Sequence, residues 1–121
     1  MDPSASRTVV GSLFVVAGAL HFVSPRTYEQ IMPPYLPSHR ELVYLSGALE
    51  IAGGLGLFPE RTRLAAGVGL ILVLIAVWPA NLQMLLDARA AGKPSWWVGL
   101  LWARMPLQLV LIVWVWRASR A

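Results

Sequence analysis

From Leu64 to Leu86 the chain runs for 23 residues without an Asp, Glu, Lys or Arg. Wound as a helix at about 1.5 Å per residue, this stretch is long enough to cross a hydrocarbon layer of roughly 30 Å. The composition agrees. Of the 121 residues, 57% are hydrophobic and 13% charged, more apolar surface than a single soluble domain can hide.

Three further apolar runs separated by polar punctuation bring the expected spans to four, at about 7–23, 41–58, 63–86 and 95–116. The first follows one basic residue, Arg7, as the core of a signal peptide would. Gly11, Gly18 and His21 interrupt it and no small-residue cleavage pattern follows, so it reads as a span. The expectation is one all-α domain over 1–121, an integral membrane four-helix bundle. Span two is rich in glycine (Gly47, Gly53, Gly54, Gly56), which lets a neighbouring backbone come close.

Between spans one and two, Ser24 can cap and Pro25 can open a short helix, which Pro33, Pro34 and Pro37 then prevent from continuing. With Tyr28, Met32 and Tyr35 these residues predict a short interfacial helix and a proline-rich flap lying over one end of the bundle. The basic residues on the side of the termini are Arg7, Arg61, Arg63, Arg117 and Arg120, against Arg26, Arg40, Arg89 and Lys93 on the flap side. This bias favours cytoplasmic termini. Trp96, Trp97, Trp114 and Trp116 suit the aromatic belts at the ends of the last span.

Cysteine is absent, which excludes thiol redox chemistry and thiolate ligation. The net charge of +4 comes from scattered residues that form no stripe for a phosphate backbone, so no nucleic acid partner is expected. His21 and His39 are the two histidines, without a second ligand at helical spacing, and no metal is expected. His39, beside Arg40 and Glu41, reads as a solvated residue near a helix start. No phosphate loop, nucleophile motif or repeat is present.

Polar residues inside spans carry the functional signal, because a charged group at a helix centre costs about 2.5 to 3.5 kcal/mol on insertion scales. They are His21, Glu50, Asn81, Gln83, Arg104 and Gln108. Counted from the flap side, Glu50 and Arg104 lie roughly 14 Å deep, with His21 and Asn81 shallower. Each span thus offers a polar group to the same half, which predicts one cluster of His21, Glu50, Asn81 and Arg104, with Gln108 a turn beyond Arg104. Glu50 and Arg104 are the expected ion pair. Gly11, Phe14, Gly18 and His21 share a helix face, as do Gly47, Glu50 and Gly54. Pro79 frees the carbonyl of Ile75 and Pro106 that of Trp102, giving kinks that can open a cavity. Such a cluster either fixes helix register or forms a ligand or proton-handling site beneath the flap.

Several stretches resemble the DoxX and DoxX-like family of small four-helix membrane proteins. They are Gly18-Ala19-Leu20-His21-Phe22 followed by Pro25 and Tyr28, Met32-Pro33-Pro34-Tyr35-Leu36-Pro37, Ser46 through Gly54, Pro79-Ala80-Asn81, and Arg104-Met105-Pro106-Leu107-Gln108. The resemblance runs nearly end to end. It implies a bundle in a bacterial inner membrane, with links to a thiosulfate:quinone oxidoreductase and to oxidative stress. Quinone is the one cofactor it suggests, and a role as accessory subunit leaves open whether this chain is itself an enzyme.

Three readings follow. In the first, the lidded pocket binds a quinone or another small molecule, His21 and Glu50 exchanging protons while Arg104 holds an anionic or carbonyl oxygen. In the second, the chain is a scaffold or chaperone-like partner of other membrane proteins, or pairs with a second copy through its glycine faces. In the third it moves small solutes or protons.

Overall fold

The computed structural model describes residues 2–30 and 37–120, and every regular element among them is a helix. They are α1 (Pro3–Val23), α2 (Pro25–Gln30), α3 (His39–Gly56), α4 (Glu60–Ala90) and α5 (Ser95–Arg120). Of the flap residues, Tyr28 lies on α2 and Pro37 in an exposed bend, while Met32, Pro33, Pro34 and Tyr35 fall outside the described residues. α1, α4 and α5 extend past the expected spans by several residues, while α3 begins two residues before its expected span and ends two residues short of it. Backbone hydrogen bonding does not stop where the apolar run does, and α4 carries Glu60 and Arg61 in its first turn and Asp87 and Arg89 near its last.

Local chemistry fixes the ends. Asp2 caps α1, its Oδ1 accepting from the Ala5 amide at 2.9 Å, with Pro3 in the first turn. Gly92, at φ +66, ends α4 in the left-handed conformation. The Gly92 amide then donates to Arg89 and that of Lys93 to Ala88, a Schellman closure that turns the chain into α5. The open carbonyls at the end of α3 are taken by the first turn of α4: Thr62 Oγ1 donates to Gly56, and the Arg63 guanidinium to Leu57 and Phe58.

Four long helices pack in a ring in the order α1, α3, α4, α5, each touching the next and α5 closing on α1. The pairs α1/α4 and α3/α5 stand on the diagonals, their backbones not in close approach. The α1/α3 seam is made of glycines. A Cβ on Gly18 would come to 2.6 Å from the Gly47 carbonyl oxygen, and one on Gly54 to 2.6 Å from that of Gly11, so these backbones lie in direct contact at two levels one heptad apart.

Val10, Phe14, Leu57, Leu70, Leu74 and Val115 fill the half of the ring near the termini. Polar residues are buried inside, among them His21, Asn81 and Gln108, while large apolar side chains such as Leu13, Val16, Leu72 and Leu109 face outward. So many large apolar side chains on the outside are more than the surface of a soluble domain usually carries. Three helices, α1, α4 and α5, are long and apolar enough to cross a membrane. The 18 residues of α3 include Arg40, Glu41 and Glu50, which keep it below that level of apolarity.

Candidate functional site

α3 and α4 are joined by a short turn and stay close beside it, where Gly53 meets Leu70 and Gly56 meets Ala66. Toward α2 they enclose a cavity of about 400 Å³. His21 of α1, Tyr28 of α2, Glu50 of α3, Pro79 and Asn81 of α4 and Arg104 of α5 line its polar side. Leu42, Leu45, Leu49, Val73 and Val77 form an apolar side. Leu45 and Leu49 are also 55% and 47% exposed, so the cavity opens to the outside at these two residues of α3.

The glycine seam builds the first half of the site. Gly18 against Gly47 sets α1 and α3 close enough that a Cβ on Gly47 would lie 2.7 Å from that of His21. His21 Nε2 thereby comes 3.0 Å from Glu50 Oε2. The other ring nitrogen, Nδ1, is 2.7 Å from the Ala17 carbonyl oxygen, which can only accept, so Nδ1 carries a proton. The Nε2 to Oε2 contact then holds one further proton, and the pair is neutral whichever atom has it. Ser46, one turn before Glu50, donates its hydroxyl to the same carboxylate oxygen at 3.4 Å. Tyr28 stacks on His21 with ring centroids 3.8 Å apart and 19° between planes.

The second half is a chain of amides whose direction a backbone carbonyl also dictates. Gln108 Nε2 donates to the Leu74 carbonyl at 2.6 Å, leaving its Oε1 to accept from Asn81 Nδ2 at 3.1 Å. Asn81 must then present Oδ1 to the cavity, where it accepts from Arg104 at 3.3 Å. The carbonyl that anchors the chain is Leu74's, one residue before the Ile75 carbonyl expected to be spared by Pro79.

The expected Glu50–Arg104 ion pair is not formed. Glu50 is held by His21, and Arg104 by Asn81 and by Met84, whose sulfur accepts at 3.2 Å. The cause is topological: α3 and α5 are diagonal in the ring, so the two charges face the cavity from opposite walls while each finds a partner on an adjacent helix. Gln108 is buried behind Asn81 and does not line the cavity. Gln83 points away and donates to Asp87 at 2.8 Å. His39 is partly exposed near the start of α3, with its Nε2 shielded and without a hydrogen bond among the described residues. Among those residues there is no group of three or more metal-ligating side chains.

Tyr28 is placed over the cavity by α2, and α2 is tied down by Glu29. The Arg40 guanidinium grips that carboxylate through two nitrogens, at 2.6 and 3.2 Å, and lies 5.9 Å above the Tyr44 ring. The Arg40 hydrogen bonds hold the Glu29 carboxyl below the usual range. Burial pushes the Tyr28 hydroxyl up, with the Glu50 carboxyl adding to the shift and Arg104 opposing it. The phenol is therefore neutral near pH 7. Sequence reasoning named Tyr28 only as part of a flap. It passed over Ser46, although the four-residue spacing to Glu50 was visible, and Met84, which carries no such signal.

The described residues thus form an all-helical protein with a mostly apolar cavity into which His21, Glu50, Asn81 and Arg104 bring polar groups. A family model, that of a domain of unknown function (DUF8561), matches residues 10–119, and the chain belongs to this family. No curated protein and no solved structure matches it.

Proposed function

We propose that this chain is an integral membrane protein whose four long helices all span the bilayer and whose cavity binds an amphiphilic small molecule. The observation that carries the reading is the cavity itself, apolar on the α3/α4 side and polar where His21, Glu50, Asn81 and Arg104 meet. Such a combination orients an apolar molecule by a few polar contacts. α3 joins the other spans because its charges are accounted for inside the protein or at the interface: Glu50 is paired with His21, and Arg40 and Glu41 stand in its first turn. The charge bias of the loops puts the termini in the cytoplasm and α2 on the outer face, and the DoxX resemblance suggests a bacterial inner membrane.

That resemblance also suggests a quinone as the molecule bound. Arg104 would donate to one carbonyl oxygen, the His21–Glu50 pair would supply or take a proton, and a partner oxidoreductase would supply the electrons. Transport ranks lower, because the packed apolar cluster around Phe14 and Leu70 fills the half of the ring below the cavity. A purely structural cluster would need no cavity.

The test is thermal unfolding of the protein in lipid nanodiscs with and without a short-chain benzoquinone. Stabilisation of the wild type that Glu50→Gln and Arg104→Ala both diminish is the expected result. If the wild type is indifferent to the quinone and to every other amphiphile tried, the cavity is not a binding site.

A further inference from the structure

The cavity's charge is not balanced. His21 and Glu50 share one proton between Nε2 and Oε2 and are neutral together, and the Tyr28 phenol is uncharged. Arg104 is the remaining charged group in the lining. It donates to a neutral amide oxygen at 3.3 Å and to a thioether sulfur at 3.2 Å, the second a weak acceptor.

Among the described residues no carboxylate makes an ion pair with it. Glu29 is taken by Arg40, Asp87 by Gln83 and Glu50 by His21. Asp2 caps α1, Glu60 opens α4 at the far end, and Glu41 is exposed in the first turn of α3. These are all six acidic residues, and the segment 31–36, Ile-Met-Pro-Pro-Tyr-Leu, contains none. The guanidinium stands at the exposed edge of the cavity, and its planar fork suits a carboxylate or phosphate.

We infer that the cavity takes an amphiphile with an anionic head, carboxylate or phosphate, which Arg104 holds while the apolar chain lies along Leu42, Leu49 and Val77 and leaves beside Leu45 on α3. The opening at Leu45 and Leu49 gives such a molecule a route from the bilayer, since a chain of lipid length need not fit wholly inside about 400 Å³. The inference rests on the proposal that the cavity is a binding site and narrows the ligand by charge. The amide chain from Leu74 through Gln108 and Asn81 acts as a positioning device, holding Arg104 toward the cavity.

The experiment uses the full chain in nanodiscs of phosphatidylcholine. Binding is measured for oleate, for methyl oleate (the same chain without the charge), for phosphatidic acid mixed into the bilayer, and for a neutral benzoquinone. Wild type is compared with Arg104→Gln and with Arg89→Gln, an arginine outside the cavity. The expected result is oleate or phosphatidic acid bound one to one, about tenfold or more tighter than methyl oleate. That preference should vanish in Arg104→Gln and persist in Arg89→Gln. Oleate alone binding identifies a free acid as the source of the head group, and phosphatidic acid alone identifies a bilayer lipid.

Equal binding of oleate and methyl oleate overturns the anionic head and leaves a binding site standing. Absence of binding by all four molecules overturns the binding site as well. Should Arg104→Gln fail to fold, the oleate and methyl oleate comparison on the wild type decides alone.

Discussion

His21 Nε2 lies 3.0 Å from Glu50 Oε2 while Nδ1 of the same ring is committed to the Ala17 carbonyl, so one proton serves the contact between them. Glutamine at position 50 can satisfy that contact, because its amide donates to the bare Nε2 of a neutral imidazole. Glu50→Gln should therefore change stability by less than about 1 kcal/mol, whereas His21→Ala leaves a buried carboxyl without its partner and costs roughly 1 to 3 kcal/mol. Unfolding in mild detergent checks the order, and nitrogen-15 NMR of His21 should show Nδ1 protonated in the Glu50→Gln variant. A Glu50→Gln protein less stable than His21→Ala would show that the pair is not organised around a single proton.

The glycine seam makes a second prediction with an internal control. A methyl group on Gly18 would lie 2.6 Å from the Gly47 backbone oxygen, and backbone cannot step aside without separating α1 from α3. Gly18→Ala should destabilise by about 1 to 3 kcal/mol and loosen the His21 to Glu50 contact. At Gly69 and Gly99 a Cβ would meet nothing within 4 Å, so alanine there should be neutral or stabilise by up to about 1 kcal/mol through helix propensity. Equal effects at Gly18 and Gly69 would remove the seam as the cause.

What the sequence could and could not reveal follows from the range of each interaction. His21, Glu50, Asn81 and Arg104 were legible as one group because each interrupts an apolar run and the depth of a residue in a span is a matter of counting. Glycines seven apart on α1 and α3 marked faces shaped for close packing, but not that these two faces meet each other. The pairing inside the group was not legible. Counting fixes depth but not the order of helices around the ring, and with α3 and α5 on a diagonal the obvious charge pair, Glu50 with Arg104, is the one that geometry prevents. The Glu29 to Arg40 tie was hidden as well, since it depends on how the segment between them folds back.

The amide chain predicts non-additivity. Gln108→Leu removes the acceptor for Asn81 Nδ2 and the donor to Leu74, both buried, and should cost about 1 to 3 kcal/mol. Adding Asn81→Leu removes the stranded amide, so the double variant should be no worse than about the single one. The loss that remains should appear in the oleate preference, because Arg104 has lost its guide. Thermal unfolding of the four proteins of the cycle measures the coupling, and strict additivity would mean that the amides act separately.

The tether of α2 responds to pH and to salt. Glu29 is gripped by Arg40 through both carboxylate oxygens, and this depresses its ionisation below the ordinary glutamate range. A depressed carboxyl stabilises the closed position fully above the unfolded range and loses that effect as pH falls through the folded value. The tether therefore weakens on acidification, not on alkalinisation. Because the pair is exposed to solvent, high salt should weaken it too. Hydrogen exchange of the α2 amides, corrected for intrinsic rates, should accelerate in the wild type at low pH and in about 1 M salt, on the order of the screening expected at that strength. Glu29→Gln should exchange fast already at neutral pH and respond little to either change. Ligand entry should quicken in parallel, since Tyr28 leaves His21 when α2 lifts. If α2 exchanges equally slowly in wild type and Glu29→Gln, the stacking of Tyr28 on His21 holds it without the ion pair, and Tyr28→Ala becomes the variant that opens the site.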